Sequence, residues 1–200
     1  MHIDINALLQ AFGYLGLAGI VFAESGLFFG FFLPGDSLLF TAGFLASQGF
    51  FNILGVMLIT TIFAILGDST GYWFGAKIGP MIFTRPDSFW FSKKRITDTQ
   101  SFFEKHGAKS LILARFIPAV RTFTPIMAGV GTMKYRTFLK YNILGGVLWG
   151  SCIPFAGFLL GRLIPNPDHY IIPAVLIIIV LSSLPVVIEI IKSKLKNRTL

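Results

Sequence analysis

Charge is what this chain has least of. Asp, Glu, Lys and Arg together make up 13% of its 200 residues, where a water-soluble domain carries about 25%. That deficit excludes a surface turned wholly to water. Lys and Arg are absent before Lys77, so no basic segment precedes the first apolar stretch and a cleaved signal peptide is not expected. The single cysteine, Cys152, excludes an internal disulfide. The three histidines, His2, His106 and His169, fall in polar ends. No metal-ligand spacing and no inward histidine nucleophile for phosphate chemistry is expected. A GxSxG elbow, a Walker loop and a GxGxxG fingerprint are all missing. No catalytic residue, metal or cofactor is therefore expected.

What is present is apolar. Hydrophobic residues reach 54%, with 22 phenylalanines, and they gather in blocks. The net charge of +8 comes from clusters between those blocks and at the C-terminus. That is a signal of membrane topology, not the footprint of a nucleic-acid binder.

Five blocks follow one another. The first, from about Ala7 to Ala46, is divided by Pro34, Gly35, Asp36 and Ser37. Pro34 removes a backbone donor, Gly35 permits a sharp turn, and Asp36 or Ser37 can cap the next helix. Each arm reads as too short or too interrupted to cross a hydrocarbon core that needs about 20 apolar residues. A re-entrant hairpin is expected instead. Irregular backbone at such depth survives only when buried in protein or facing water. The second block, about Ile53 to Gly79, is a full span whose Gly67, Gly71, Gly75 and Gly79 line one face, a pattern that lets helices approach closely. The third, about Leu111 to Gly131, is again short and is expected to break at Pro118 and Pro125. The fourth, about Phe138 to Leu163, is a span with Gly146, Gly150, Gly157 and Gly161. The fifth, about Tyr170 to Ile191, ends in a basic tail.

The expected architecture is thus an all-α polytopic membrane protein in a single membrane domain. Residues 1–80 form a first hairpin plus span, and 81–109 a cytoplasmic amphipathic segment. Residues 110–163 form a second hairpin plus span, 170–192 the last span and 193–200 the tail. Glu24 precedes Pro34 by the same interval as Arg115 precedes Pro125, so the two halves read as a repeat. The basic segments at 85–109, at Lys134, Arg136 and Lys140, and in the tail should all be cytoplasmic. With the C-terminus inside, the parity closes only if the broken blocks enter from opposite faces. The N-terminus is then periplasmic, and the repeats are inverted around a midplane site, as in many transporters. Arg162 departs from the charge rule, and a lone arginine can snorkel.

Four charges sit inside the broken blocks: Glu24 and Asp36 in one, Arg115 and Arg121 in the other. A charge at a helix centre costs about 2.5–3.5 kcal/mol on insertion scales, so such residues are functional by default. If the hairpin tips meet, the acids face the guanidinium groups. Arginine forks match phosphate oxygens, and removal from water favours the protonated form of a carboxylic acid. The set suits movement of an anion coupled to protons. A purely structural ion-pair network is the plainer alternative. Ser37 and Thr122 lie beside the charges, where helix capping explains them as well as ligand contact does. Asp68 and Glu189 read as near-interface charges, and Trp149 as a packing or interfacial residue.

These residues carry a family resemblance. Phe22-Ala23-Glu24, then Phe32 to Phe40 with the Pro34-Gly35-Asp36-Ser37 core, then Ala42-Gly43, resemble the first motif of the DedA family of membrane proteins (the VTT, or SNARE-associated Golgi protein, domain). Gly67-Asp68 with Gly71-Tyr72 and Gly75 resembles the next. Phe103 to Gly107, Leu113 to Pro118, Val120-Arg121-Thr122 and Pro125 through Ala128-Gly129 resemble the second signature, continued by Met133, Tyr135, Phe138 and Tyr141-Asn142. Leu184-Pro185 and Ile188 to Ile191 resemble the bacterial branch. Lys77 departs, standing where many members carry arginine.

The resemblance implies a lipid scramblase or flippase. In bacteria it implies return of undecaprenyl phosphate across the cytoplasmic membrane at the expense of proton-motive force. It also implies that Glu24, Asp36, Arg115 and Arg121 are the functional set. The partners expected are a membrane lipid and protons, not nucleic acid, with self-association into a homo-oligomer left open. The competing readings are a proton-coupled transporter of small cations or drugs, a membrane-embedded enzyme on lipid phosphate, and a scaffold. The hairpin topology is testable. In a Cys152→Ser background, cysteine at position 35 should label from the periplasmic side only and cysteine at position 120 from the cytoplasmic side only. Full spans would label otherwise.

Overall fold

The computed structural model describes residues 5–27, 35–84 and 107–163. Outside them lie Pro34, most of the expected amphipathic segment, the last span at 170–192 and the tail. Six helices make up the described chain: α1 (Ile5–Gly26), α2 (Gly35–Ser47), α3 (Ile53–Thr84), α4 (Ser110–Ala114), α5 (Pro118–Val130) and α6 (Tyr135–Leu163). No strand occurs among the described residues.

Two of them, over Ile53–Gly79 and Tyr135–Leu163, are long and apolar enough to cross a membrane. Only 28% and 33% of their most apolar stretches is buried, the reverse of a core helix in a water-soluble protein. Leu54, Leu58, Ile62 and Leu66 on α3, and Ile143, Val147, Leu148 and Leu159 on α6, point outward. Small or polar residues turn inward from the same helices: Thr60, Ala64, Asp68, Asn142. Such an inside-out helix is stable where the surroundings are hydrocarbon.

The short helices follow their punctuation. Asn52 caps α3, its side-chain oxygen accepting from the amides of Leu54 at 2.9 Å and Gly55 at 3.2 Å, which satisfies donors the helix start leaves over. Gly49 supplies the left-handed turn before it, at φ 81°. Thr132 takes φ 58° after α5, where the Met133 amide reaches back to the Ala128 carbonyl at 3.1 Å, closing the helix in a Schellman pattern.

Two features depart from the sequence reading. The first arm is not short: α1 has 22 residues, about 33 Å at 1.5 Å per residue. Pro125 does not break its helix. It lies inside α5, where its missing N–H costs one turn bond to the Arg121 carbonyl and the remaining turns continue. Pro118 does mark the break, as the first residue of α5, where a missing donor costs nothing. Both α2 and α5 have 13 residues, about 20 Å, too short to cross.

The chain forms two compact units. Among the described residues, unit one takes 5–17, 35–57 and 152–163, and unit two takes 18–27, 58–84 and 107–151. In unit one, α2 packs on the C-terminal part of α6. A Cβ on Gly43 would overlap the Pro154 backbone, and one on Gly157 the Phe40 carbonyl. Leu39 and Phe44 fill the interior there. Also in unit one, the α1 residue Tyr14 accepts from the Asn52 amide at 2.9 Å.

In unit two the glycine stripe of α3 does what its spacing predicts. The Gly67 backbone lies against Phe22 and Gly26 of α1, and Gly75 and Gly79 lie against Ile126 and Val130 of α5. Gly129 returns the contact from α5 onto Tyr72 and Ala76. On the other side, Gly150 of α6 rests on Thr61, and the Thr60 hydroxyl donates to the Gly150 carbonyl at 2.8 Å. Gly75→Ala should lower stability by about 1–3 kcal/mol through over-packing. Gly16→Ala and Gly19→Ala, with open space at the added carbon, should be neutral or stabilising by up to about 1 kcal/mol. Thermal unfolding in detergent distinguishes the two classes.

Candidate functional site

The site lies in unit two and is assembled by the break between α4 and α5. The amides that follow α4 tighten into i→i+3 bonds, Phe116 to Leu113 at 3.1 Å and Ile117 to Ala114 at 3.1 Å. Ile117 is then extended, at φ −111° and ψ 106°, because the following proline disfavours helical geometry in the residue before it. This places Arg115 at the C-terminal end of α4 and Arg121 in the opening turns of α5. One continuous helix would set them about 120° apart around its axis, six residues at about 100° each. The break lets both line one cavity with Asp68, Leu111, Thr124, Pro125, Phe138 and Asn142.

Each arginine is buried and has a carboxylate. Arg121 is 8% exposed and pairs with Glu24, itself 1% exposed near the end of α1. The Arg121 guanidinium also sits 4.8 Å from the centroid of the buried Trp149 ring on α6, a cation–π contact that strengthens when water is excluded. Thr122 is buried and donates to the Glu24 carbonyl at 3.5 Å, so it ties α5 to α1 and does not cap a helix. Arg115 is 6% exposed and pairs with Asp68 of α3. The same guanidinium nitrogen donates to the Asn142 side-chain oxygen at 2.9 Å, and the other terminal nitrogen donates to the Asn142 backbone carbonyl at 3.5 Å. Asn142 in turn donates to the Ile65 carbonyl at 3.1 Å and the Ser69 hydroxyl at 3.4 Å. Room for Arg115 comes from Gly146, where a Cβ would stand 2.7 Å from the guanidinium. Beneath the site, Phe138 stacks on Tyr72 at 4.6 Å between centroids. The Tyr72 hydroxyl donates to the Met133 carbonyl.

Three of the four charges read from the sequence, Glu24, Arg115 and Arg121, are buried together in unit two. The fourth, Asp36, lies in the first turn of α2 with Ser37, both half-buried, beside the buried Gly35, and is part of unit one. The carboxylate on Arg115 is Asp68, which sequence reasoning ranked as a near-interface charge. Asn142 and Trp149 were likewise missed as site residues. A signal was available: Asp68 stands four residues from Ala64 and from Tyr72, on the inward face, and Asn142 is the lone side-chain amide in α6. Among the described residues no group of His, Cys, Asp and Glu could hold a metal.

Comparison with known proteins identifies the family. The VTT domain matches residues 33–159. The chain is 43% identical to protein DedA of Escherichia coli K12, over 97% of the chain and 91% of that protein. This chain belongs to the DedA family. It is also 43% identical to an uncharacterized membrane protein of Mycobacterium leprae, over 84% of the chain and 75% of the relative. With the inner membrane protein YghB of E. coli K12 the identity is 35%, over 75% and 68%. No solved structure matches the chain. The VTT match spans Asp36, Asp68, Arg115, Arg121, Asn142 and Trp149, and Glu24 precedes it. This DedA-family protein therefore draws one of its buried carboxylates from outside the matched stretch.

Removing one member of a buried ion pair costs about 3–5 kcal/mol, because a charge is left unpaired. Glu24→Ala and Arg121→Ala should each show a loss of that order. The double variant should lose less than the sum of the two. Chemical unfolding of the purified protein provides the double-mutant cycle.

Proposed function

We propose that this DedA-family protein carries an anionic, phosphate-bearing lipid of the undecaprenyl phosphate kind across the bacterial cytoplasmic membrane, driven by proton-motive force. The observation that carries the reading is the convergence of two buried guanidinium groups on one cavity, in a protein with only 13% charged residues. Arginines matched to carboxylates in an apolar interior are matched equally well to phosphate oxygens. Arg115 and Arg121 bind the head group in this reading, and Glu24 and Asp36 exchange protons with the two sides. No covalent step is needed, and the protein acts as a carrier rather than an enzyme.

The cavity has room for about one water, at about 10 Å3, far less than a phosphate group requires. The described conformation is therefore closed, with its arginines held by the protein's own acids. Loading requires the helices around the cavity to part. In the proposed cycle the two broken blocks are inverted re-entrant hairpins that open the site to one face at a time. The N-terminus is periplasmic, and the C-terminus is cytoplasmic with the basic segments.

Arg121→Ala and Arg115→Ala should each abolish movement of a polyprenyl phosphate in proteoliposomes under a proton gradient, with membrane insertion retained. Undiminished movement by either would overturn the reading. Transport of small cations in place of the lipid would favour the drug or cation carrier.

A further inference from the structure

Glu24, Asp36 and two arginines carry the proposed cycle, in which Asp68 has no role. Asp68 is buried, lines the same cavity as both arginines, and holds Arg115 directly. One Arg115 nitrogen takes both the Asp68 carboxylate and the Asn142 side-chain oxygen, the latter at 2.9 Å, while the other terminal nitrogen is held by the Asn142 backbone carbonyl at 3.5 Å. Asn142 is itself fixed by the Ile65 carbonyl and the Ser69 hydroxyl, both on α3 within four residues of Asp68. One wall of the cavity is thus a rigid frame that presents Arg115 to a carboxylate.

We infer that Asp68 is the resident anion of the substrate site: it occupies Arg115 when the site is empty and gives way to the phosphate monoester of the lipid head group. This rests on the lipid-carrier reading and deepens it. Arg115 stays paired in both states, so the cost of stripping a buried guanidinium of its partner is not incurred during exchange. Asn142 keeps the fork oriented while the anion changes. A phosphate oxygen on Arg115 then sits beside the displaced Asp68 carboxylate, and like charges repel. Asp68 consequently weakens binding twice, as a competitor and as a neighbour of the bound anion. A carrier needs that weakness, since binding strong enough to load must also be weak enough to release.

The test is binding and transport by the full chain in phosphatidylcholine nanodiscs and liposomes, with farnesyl phosphate and inorganic phosphate as separate probes. Asp68→Asn and Asp68→Ser should bind farnesyl phosphate more tightly than the parent, by about tenfold, a typical coupling between competing ligands. Both should move polyprenyl phosphate more slowly. Asp68→Glu should return affinity towards that of the parent. Asn142→Ala, which frees the fork but keeps the acid, should bind more weakly. Tightening seen with inorganic phosphate alone keeps Asp68 as the resident anion and overturns the lipid as cargo. If the parent binds farnesyl phosphate and the neutral variants bind it equally or more weakly, the inference about Asp68 fails and the carrier reading survives. If the parent binds neither probe, the carrier reading itself fails. Failure of both neutral variants to fold also counts against the inference, because it makes Asp68 a structural anchor.

Discussion

Two ions in hydrocarbon attract far more strongly than two ions in water, and each alone is far more costly. That asymmetry governs the interior of unit two. Glu24 pairs with Arg121 and Asp68 pairs with Arg115, all four nearly sealed from solvent. Neither pair is local in sequence: the acids come from α1 and α3, and the arginines from the ends of α4 and α5. The pairs therefore tie helices together, and their partners are fixed by which helices can come close enough.

Close approach is the work of glycine. Gly67 lets α3 press on the end of α1 that carries Glu24. Gly75, Gly79 and Gly129 let α3 press on α5, which carries Arg121. Gly146 opens the pocket that Arg115 fills. With a larger residue at these positions the backbones would stand apart, and a side chain as short as that of aspartate would not reach its guanidinium. The apolar outer faces of α3 and α6 supply no comparable selectivity, because lipid tails are as apolar as the side chains they meet. Small residues and ion pairs thus carry the specificity that a hydrophobic core carries in a water-soluble protein.

The same features bear on the proposed transport. A narrow site held by its own carboxylates suits the proposed exchange of one anion for another. The short helix α5 and the proline-set break after Arg115 are irregular backbone of the kind the proposed midplane site would need. Trp149 beneath Arg121 and Asn142 beside Arg115 restrict each guanidinium to one direction, as the proposed anion binding would need.

Much of this was legible in the residues. Charge scarcity placed the chain in a membrane, the apolar runs marked α3 and α6, the spacing of Gly67 to Gly79 marked a packing face, and Glu24, Arg115 and Arg121 stood out as charges within apolar blocks. Local chemistry suffices for such features: a proline lacks a donor wherever it lies, and a charge is costly in any hydrocarbon. Other features are set by distance in space. That Pro125 stays inside its helix, that Arg115 takes Asp68 as its acid, and that Asn142 and Trp149 complete the site all depend on how tightly α1, α3, α5 and α6 pack. Pairing energy falls off over a few ångströms, and spacing along the chain carries no record of which helices come within that range.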